Sequence, residues 1–242
     1  MPRPASPRAS AQLVQHIVAG WRTQALHAAV TLGVLDALAD AAQSPESLAG
    51  KLQCDAGALQ RLLRALCTLG VCRERADARY ALTASGRGLC TDPPEGTPSL
   101  RDLVRWWGGP LWPMWAELAY SVRTGRSARE KLTGDTNYGY MDGSTDVAAT
   151  FHGAQQAVSS LVQDDLAAWP GWRRTKHVVD VGGGHGQVGL ALAAAHPRLR
   201  VTLFDLPHAQ AGAVARLQAS DLSERCRFEA GSFFERLPAG AD

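Results

Sequence analysis

The stretch that most constrains this sequence is a glycine-rich turn at residues 182–186. It follows a valine-rich run at 178–181 that is typical of a strand, and it precedes an alanine-rich helical run that Pro197 stops. In a strand–turn–helix unit, the first N–H groups of the helix face the carboxyl edge of the sheet, where a ligand can bind. Glycine lets that ligand approach the backbone because no Cβ stands in the way. The turn therefore predicts a nucleotide or nucleoside site.

The residues around the turn predict a parallel α/β sheet. Strands are expected at 177–181, 200–206 and 225–230, and helices at 187–195 and 209–219. Alternation at these lengths indicates parallel strands joined by crossover helices. Asp205 ends the second strand, twenty-three residues after Gly182. A carboxylate at that position can accept two hydrogen bonds from a ribose diol.

The spacing of the glycines bears on the class of ligand. From Gly182 the spacing is G-x-G-x-G, and Gln187 occupies the place where a dinucleotide fingerprint has its last glycine. A second register does satisfy G-x-G-x-x-G, but it starts two residues late. Asp180 lies just before the turn, and its charge would repel a pyrophosphate, whereas S-adenosylmethionine carries an ammonium and a sulfonium. The pattern favours S-adenosylmethionine, and an NAD(P)-dependent oxidoreductase is the alternative.

The first third of the chain predicts a winged-helix order. Helices are expected at 12–39 with an interruption at Gly33, at 46–52 and at 58–69, and short strands at 71–74 and 79–82. Ser44 and Asp55 are expected to cap the second and third helical regions. Apolar residues three or four apart in the first region predict one buried stripe. Such a module either serves structural packing or binds DNA as part of a regulator. Lysine and arginine are scattered and the net charge is +2, so we expect no nucleic-acid partner.

Four tryptophans lie within ten residues of one another in the helical segment 99–123, where Pro110 and Pro113 are expected to divide the segment into two helices. These are Trp106, Trp107, Trp112 and Trp115. Large aromatic side chains either fill a core or form a wall for a flat aromatic substrate, and both uses stay open. A further helix is expected at 146–166. Apolar helices with little chain to cover them predict a homodimer through residues 12–69 and the aromatic helices.

Composition excludes several classes of protein. No apolar run approaches the ~18 residues of a membrane span, and the first ten residues lack the apolar core of a signal peptide. The five cysteines show no metal-binding spacing, so we expect no metal site and a cytoplasmic protein. We divide the chain into a flexible tail at 1–10, a dimerisation domain at 11–98, a helical connector with substrate-pocket helices at 99–172, and an incomplete cofactor domain at 173–242.

Several motifs occur in the order and spacing of a known enzyme family. DVGGGHG at 180–186 is followed by His196-Pro197, by FDLP at 204–207 and by AGSFF at 230–234. They resemble the small-molecule O-methyltransferases of the plant caffeate and acetylserotonin type and their bacterial relatives. Residues 44–88 resemble the winged-helix dimerisation module of that family, and residues 151–160 resemble its helix that crosses over the cofactor.

This resemblance implies an α/β fold in which an all-helical, winged-helix-like dimerisation domain precedes a partial Rossmann-like parallel sheet of the class I methyltransferase type. It implies S-adenosylmethionine as cofactor, a homodimer, and a hydroxylated small molecule of aromatic or polyketide-like structure as methyl acceptor. Position by position, it implies that the cofactor-binding residues are Gly182, Gly183 and Gly184 at the methionine moiety, Asp205 at the ribose, Leu206, Ser232 and Phe233 at the adenine, and Gln155 and Ser159 on the crossing helix.

Two of these positions depart from the pattern of the family. Ser232 stands where the family usually has Asp, and a neutral hydroxyl makes a weaker hydrogen bond to the adenine amino group, so we expect weaker binding. Gln155 stands where many members carry Met near the sulfonium.

The sequence ends where the fourth strand of the family begins. By resemblance, the histidine that deprotonates the acceptor is expected after Asp242, so no catalytic residue is assigned and the chain as printed is expected to lack turnover. None of the seven histidines matches that motif, and His152 on the crossing helix is the one to test. A non-catalytic cofactor-binding or dimerisation remnant of the family is the alternative.

Overall fold

The computed structural model describes residues 7–135 and 144–242, which belong to two compact units, Met1–Ala154 and Gln155–Asp242. Residues 1–6 of the expected tail and 136–143 of the expected connector lie outside the described part. Residues 7–10 are helical, so the first helix begins inside the expected tail. Pro7 suits this start. An N–H at the first helical position has no partner within the helix, and proline has no N–H to leave unpaired.

The first unit begins with four helices: α1 (Pro7–Thr31), α2 (Val34–Ala37), α3 (Pro45–Leu52) and α4 (Ala56–Thr68). Gly33 separates α1 from α2 with a φ of 71°, a left-handed conformation that glycine adopts without strain. The two expected caps are present. The hydroxyl of Ser44 accepts from the Ser47 amide at 3.2 Å, and the carboxylate of Asp55 accepts from the Ala58 amide at 2.7 Å.

A two-stranded antiparallel hairpin completes the winged-helix order. Its strands are β1 (Cys72–Glu74) and β2 (Tyr80–Leu82), with Cys72 opposite Leu82. One compact core holds the hairpin against the helices; its fully buried side chains include Val34, Leu35, Leu48, Leu63, Leu66 and Tyr80. The fold predicted for this part of the chain is confirmed.

The sequence predicted that the apolar stripe of α1 is buried, but within this chain most of it is exposed. Ile17 is 72% exposed, and Leu13 and Trp21 are also exposed, whereas Ala29 and Val30 are buried. The core of the first unit reaches only the last turns of α1, so the earlier turns keep their apolar side chains at the surface.

Five shorter helices follow: α5 (Ala84–Arg87), α6 (Arg101–Gly108), α7 (Leu111–Ala116), α8 (Leu118–Thr124) and α9 (Ala128–Thr133). The break expected at Pro110 is present, between α6 and α7, but the break expected at Pro113 and the count of two helices are wrong. Pro113 lies inside the first turn of α7, where backbone N–H groups have no partner within the helix, so a proline there removes no hydrogen bond. The second break falls at Glu117 instead. The short helix α9 was not expected.

The long helix α10 (Thr145–Ala167) follows, and the second unit contains a three-stranded parallel sheet. The strands β3 (His177–Val181), β4 (Arg200–Asp205) and β5 (Cys226–Ala230) lie in that order, with β4 in the centre. The crossover helices are α11 (Gln187–Ala195) and α12 (Gln210–Gln218), with short 3-10 turns at Pro170–Arg173 and Pro207–Ala209. The partial parallel sheet predicted from the sequence is confirmed.

The two faces of this sheet are covered differently. On one face Val178, Val201 and Leu203 pack with the leucines of α11 and α12. Because side chains alternate along a strand, Thr202 and Phe204 point to the other face, and they are buried there. Residues 231–242 cross that face: the guanidinium of Arg236 lies 5.8 Å from the centre of the Phe204 ring, and the Gly240 carbonyl accepts from the His177 Nδ1 at 2.8 Å.

No helix in the described part of the chain is long and apolar enough to cross a membrane.

Candidate functional site

The glycine turn joins the carboxyl end of β3 to α11 and is held by the neighbouring strand. The Gly182 and Gly183 amides donate to the Phe204 carbonyl at 2.8 and 3.4 Å. Gly182, Gly184 and Gly186 have φ angles of 71°, 53° and 82°. At Gly182 and Gly184 no atom lies within 4 Å of the place a Cβ would occupy. These two glycines therefore satisfy the backbone and leave open space for a ligand.

Asp205 is attached directly to the turn. Its Oδ2 accepts from the Gly184 amide at 2.7 Å, and its Oδ1 accepts from the Leu206 amide at 2.6 Å. A carboxylate has about four lone-pair sites, so each oxygen keeps capacity for another donor. The fold thus brings the last residue of β4 to the glycines after β3, as the sequence predicted, and fixes the orientation of the carboxylate before any ligand binds.

Asp180, which lies just before the turn, forms a hydrogen bond that the sequence did not suggest. Its Oδ2 accepts from the Gly189 amide in the first turn of α11 at 3.0 Å. Burial raises the pKa of the Asp180 carboxyl; the Gly189 hydrogen bond opposes that rise, and the charge of Asp205 adds to it. A Cβ on Gly183 would lie 2.9 Å from the Asp180 carbonyl oxygen. Asp180 therefore holds the helix against the turn.

Exposed apolar side chains lie at or just after the carboxyl ends of the three strands, the central one of which ends at Asp205. Val181 at the end of β3, Leu206 after β4 and Phe233 after β5 are 45%, 38% and 50% exposed. The rings of Phe233 and Phe234 lie 4.5 Å apart. Apolar side chains around one precisely held polar group are typical of a small-molecule site. An apolar rim, a carboxylate held by two backbone amides and open glycines fit the chemistry of a nucleoside with a short amino-acid tail.

Ser232 takes part in a local turn. Its Oγ accepts from the Phe234 amide at 3.3 Å, and its carbonyl accepts from the Glu235 and Arg236 amides at 3.0 and 3.1 Å. The Ser232 oxygen has a second lone pair, so it can still accept from an amino group. The adjacent Gly231 amide donates to the Asp205 carbonyl at 2.9 Å, which ties this loop to β4.

The part of α10 that belongs to the second unit runs in the same direction as α11. Gln163 contacts Gln187 at the start of α11 (2.8 Å between the side-chain amides), and His196 just after α11 donates to the Ala167 carbonyl at 2.8 Å. Ser159 and Gln155 precede Gln163 by one and two helical turns, which is about 6 and 12 Å along the axis. They therefore extend past the start of α11, towards the end where the glycine turn lies.

His185 and His152 each pack against neighbouring residues. The His185 ring occupies the space beside Gly212 of α12, where a Cβ would meet its Nε2 at 2.4 Å, so His185 packs against a helix instead of lying free in the loop. His152 lies in the first unit, with its ring centre 5.4 Å from that of Phe151. Among residues 7–135 and 144–242, no group of three or more His, Cys, Asp or Glu side chains could hold a metal ion.

The four clustered tryptophans differ in their burial. Trp106 is buried, with its ring 5.2 Å from that of Phe151. Trp107 and Trp115 are exposed and stacked, with ring centres 5.8 Å apart and an angle of 14° between the planes. One tryptophan thus fills a core and the stacked pair lies at the surface.

Sequence reasoning missed the side chains that join the helices of the second unit. Gln187 contacts both Gln163 and the guanidinium of Arg216 on α12. The sequence singled out Gln187 only because it is not glycine. No local pattern marks such contacts, since the partners are 24 and 29 residues away.

Comparison with known proteins identifies the family. An O-methyltransferase domain matches residues 115–242, and an O-methyltransferase dimerisation domain matches residues 14–92. The chain belongs to this family of S-adenosylmethionine-dependent O-methyltransferases, as predicted.

Two relatives and one solved structure illustrate the similarity. The chain is 31% identical to a phenazine O-methyltransferase of Lysobacter antibioticus, over 96% of the chain and 67% of that protein. It is 34% identical to a 3-amino-4-hydroxybenzoate 4-O-methyltransferase of Streptomyces cremeus, over 97% of the chain and 63% of that protein. An O-methyltransferase from neocarzinostatin biosynthesis, solved with S-adenosylmethionine and 2-hydroxy-5-methyl naphthoic acid, superposes with a TM-score of 0.72 at 31% identity, over 90% of this chain and 67% of that one.

The chain thus spans 63–67% of the length of these relatives. The prediction that the family uses S-adenosylmethionine is confirmed, since this cofactor is bound in the solved relative.

Proposed function

We propose that this protein binds S-adenosylmethionine at the carboxyl ends of β3 and β4 and transfers the methyl group to a hydroxyl of a small aromatic or polyketide-like molecule. The observation that carries the proposal is the hydrogen bond from the Gly184 amide to Asp205, 2.7 Å long, which joins a ribose-binding carboxylate to an open glycine turn. The family supports the reaction, and the names of the two relatives support an aromatic or heteroaromatic acceptor for those proteins.

In this proposal, different residues of the site contact different parts of the cofactor. Gly182, Gly183 and Gly184 receive the methionine moiety, and Asp205 accepts from the two ribose hydroxyls. Leu206 and Phe233 supply apolar surface for the adenine, and Ser232 supplies a hydroxyl at its edge. Gln155 and Ser159 approach from α10. When bound, the cofactor supplies a methyl group activated by its positive sulfonium.

The chain's own contribution to rate is orientation of the methyl donor. Asp205 is already fixed by two backbone amides, so binding costs little further ordering of this side chain. The acceptor oxygen must also lose its proton as it attacks. No described residue is assigned to that step, and His152, three residues before Gln155 on α10, is the first histidine to test.

We also propose that the protein is a homodimer. In the first unit α1 packs on α6 and α7: Gln24 donates to the Gly108 carbonyl at 2.9 Å, and the Trp112 indole lies 2.9 Å from where a Cβ on Gly20 would be. The exposed stripe of α1 therefore adjoins the aromatic helices. A dimerisation domain of this family matches residues 14–92, so a second copy is the occupant that best covers this surface.

The cysteines fit a reducing compartment, and we propose the cytoplasm. All five are free thiols, and three of them, Cys72, Cys90 and Cys226, are buried.

Calorimetric titration tests the cofactor. The purified chain is titrated with S-adenosylhomocysteine and, separately, with NAD. We expect S-adenosylhomocysteine to bind and NAD to give no heat above dilution. Binding of NAD instead would overturn the proposal in favour of an oxidoreductase.

A labelled-methyl assay tests the reaction. The 242-residue chain is incubated with labelled S-adenosylmethionine and paired phenols, anilines and thiophenols on the same ring systems. We expect any label to be on the phenols; label on only the anilines or thiophenols would contradict O-methylation. Turnover by the 242-residue chain itself would place the base within these residues, and His152→Ala would then be the first variant to assay.

A further inference from the structure

A polar bridge joins three helices of the second unit next to the glycine turn. Gln187, the first residue of α11, donates from Nε2 to the Gln163 Oε1 on α10 at 2.8 Å, and its Oε1 accepts from the Arg216 guanidinium on α12. All three residues are half-buried. The bridge lies outside the residues assigned to the cofactor.

The chemistry of the bridge fixes its orientation. A guanidinium has only donors, so the amide oxygen of Gln187 must face Arg216. Its NH2 group is therefore directed to Gln163, which accepts. Arg216 thus orients Gln187, and Gln187 in turn holds α10.

The bridge is also well placed to position α10. The other side chains that donate to the end of α10 are those of Trp172 and His196, and they contact the carbonyls of Leu166 and Ala167 in its last turn. Gln163 is an anchor one turn earlier, nearer to Ser159 and Gln155. Without it, the described side-chain hydrogen bonds from the second unit to this helix all lie at its last two residues, and the preceding turns can pivot about them.

We propose that Gln187 is a positioning residue that sets the distance between α10 and the glycine turn, and so between Ser159 and the methyl end of the cofactor. Gln187 directly follows Gly186, and two residues before Gly186 lies Gly184, bonded to Asp205. One side chain therefore ties the helix above the cofactor to the turn below it. This inference rests on the proposed function, since it assumes that the cofactor binds at that turn.

The test uses substitutions that keep side-chain length. Gln187→Met and Gln163→Met each remove the contact between α10 and α11. We expect each to weaken S-adenosylhomocysteine binding ~3–10-fold, the net worth of one hydrogen bond. The double variant should bind no more weakly than Gln187→Met, because that variant has already lost the contact that Gln163→Met removes. Gln187→Glu should retain near-normal affinity, because the Gln163 amide can rotate to donate to the carboxylate while Arg216 keeps its acceptor.

Gln210→Met, at an exposed position in the first turn of α12, is the matched control and should bind like the parent. Hydrogen exchange supplies a second readout: amides of residues 155–163 should exchange faster in Gln187→Met, while those of β4 should not change.

Parent-like affinity and exchange in Gln187→Met would overturn the inference. Losses that add in the double variant, or no rescue by Gln187→Glu, would also overturn it. A parent chain that fails to bind S-adenosylhomocysteine contradicts the proposed function instead, and the exchange of residues 155–163 still decides whether Gln187 holds α10.

Discussion

The two units expose apolar surface in different ways. In the first unit the exposed side chains follow the outer turns of α1, where Leu13, Ile17 and Trp21 lie on one face. In the second unit Val181, Leu206 and Phe233 lie at or just after the ends of three parallel strands, the central one of which ends at the carboxylate of Asp205.

A broad apolar stripe is suited to another protein surface, whereas an apolar rim around one fixed polar group is suited to a small ligand. The exposed fractions overlap, so it is the polar group at the centre that distinguishes a ligand site from an interface.

The largest expected effect concerns the framework of the ligand site. A Cβ at Gly186 would lie 2.6 Å from the Leu203 side chain, and the φ of 82° is strained for any other residue. Gly186→Val should lower the free energy of unfolding by about 2–5 kcal/mol, from overpacking and a left-handed β-branched residue. Gly182→Ala shares the positive φ but meets open space, so it should cost only about 1–2 kcal/mol. Urea unfolding followed by tryptophan fluorescence measures both; equal losses would refute the distinction.

The stripe on α1 should control association without affecting the ligand. Ile17→Asp puts a charge on the most exposed of the three stripe residues named above. If a second copy buries it, the dimer dissociation constant should rise by more than ~100-fold, because each of the two copies loses about 1.5–3 kcal/mol of isoleucine burial. Sedimentation velocity measures the change, with Gln12→Asp on the same helix as control. A parent protein that sediments as a monomer would remove the dimer from the account.

Asp180 should make stability depend on pH. Its pKa is raised by burial, so the folded state favours the neutral carboxyl. The contribution to stability is fully present below the unfolded pKa of ~3.9 and is lost as pH rises through the raised folded pKa. Asp180→Asn can still accept from the Gly189 amide without a charge. In urea unfolding, the free energy of unfolding of Asp180→Asn relative to that of the parent should therefore rise as pH rises from ~3.9, and parallel profiles for the two proteins would contradict this role.

Much of the second unit could be predicted from the sequence, because glycine and proline mark its boundaries. The bounds of β3 and α11 agree with those expected, since the glycine turn separates them and Pro197 stops the helix. The α6–α8 segment was less predictable, because the effect of a proline depends on its place in the first turn. The Gln163–Gln187–Arg216 contacts could not be predicted, since they join helices distant in sequence.

The smallest expected effect is a gain of affinity. Ser232→Asp would place a charged acceptor at the edge proposed for the adenine. A charge-assisted hydrogen bond exceeds a neutral one by about 1 kcal/mol, so S-adenosylhomocysteine should bind roughly fivefold more tightly. Ser220→Asp, on the loop after α12, is the control. Calorimetry with no gain in Ser232→Asp would remove Ser232 from the adenine site.

The central claim is that the polar centre of the second unit is a ribose anchor, and the affinity of Asp205→Asn for S-adenosylhomocysteine tests it most directly. Asparagine keeps the size of the side chain and one acceptor, but it loses the charge and the second acceptor. We expect binding to weaken by about 1.5–3 kcal/mol, or roughly 10–150-fold, while the exposed control Asp221→Asn binds like the parent. Unchanged affinity in a folded Asp205→Asn protein would contradict the account.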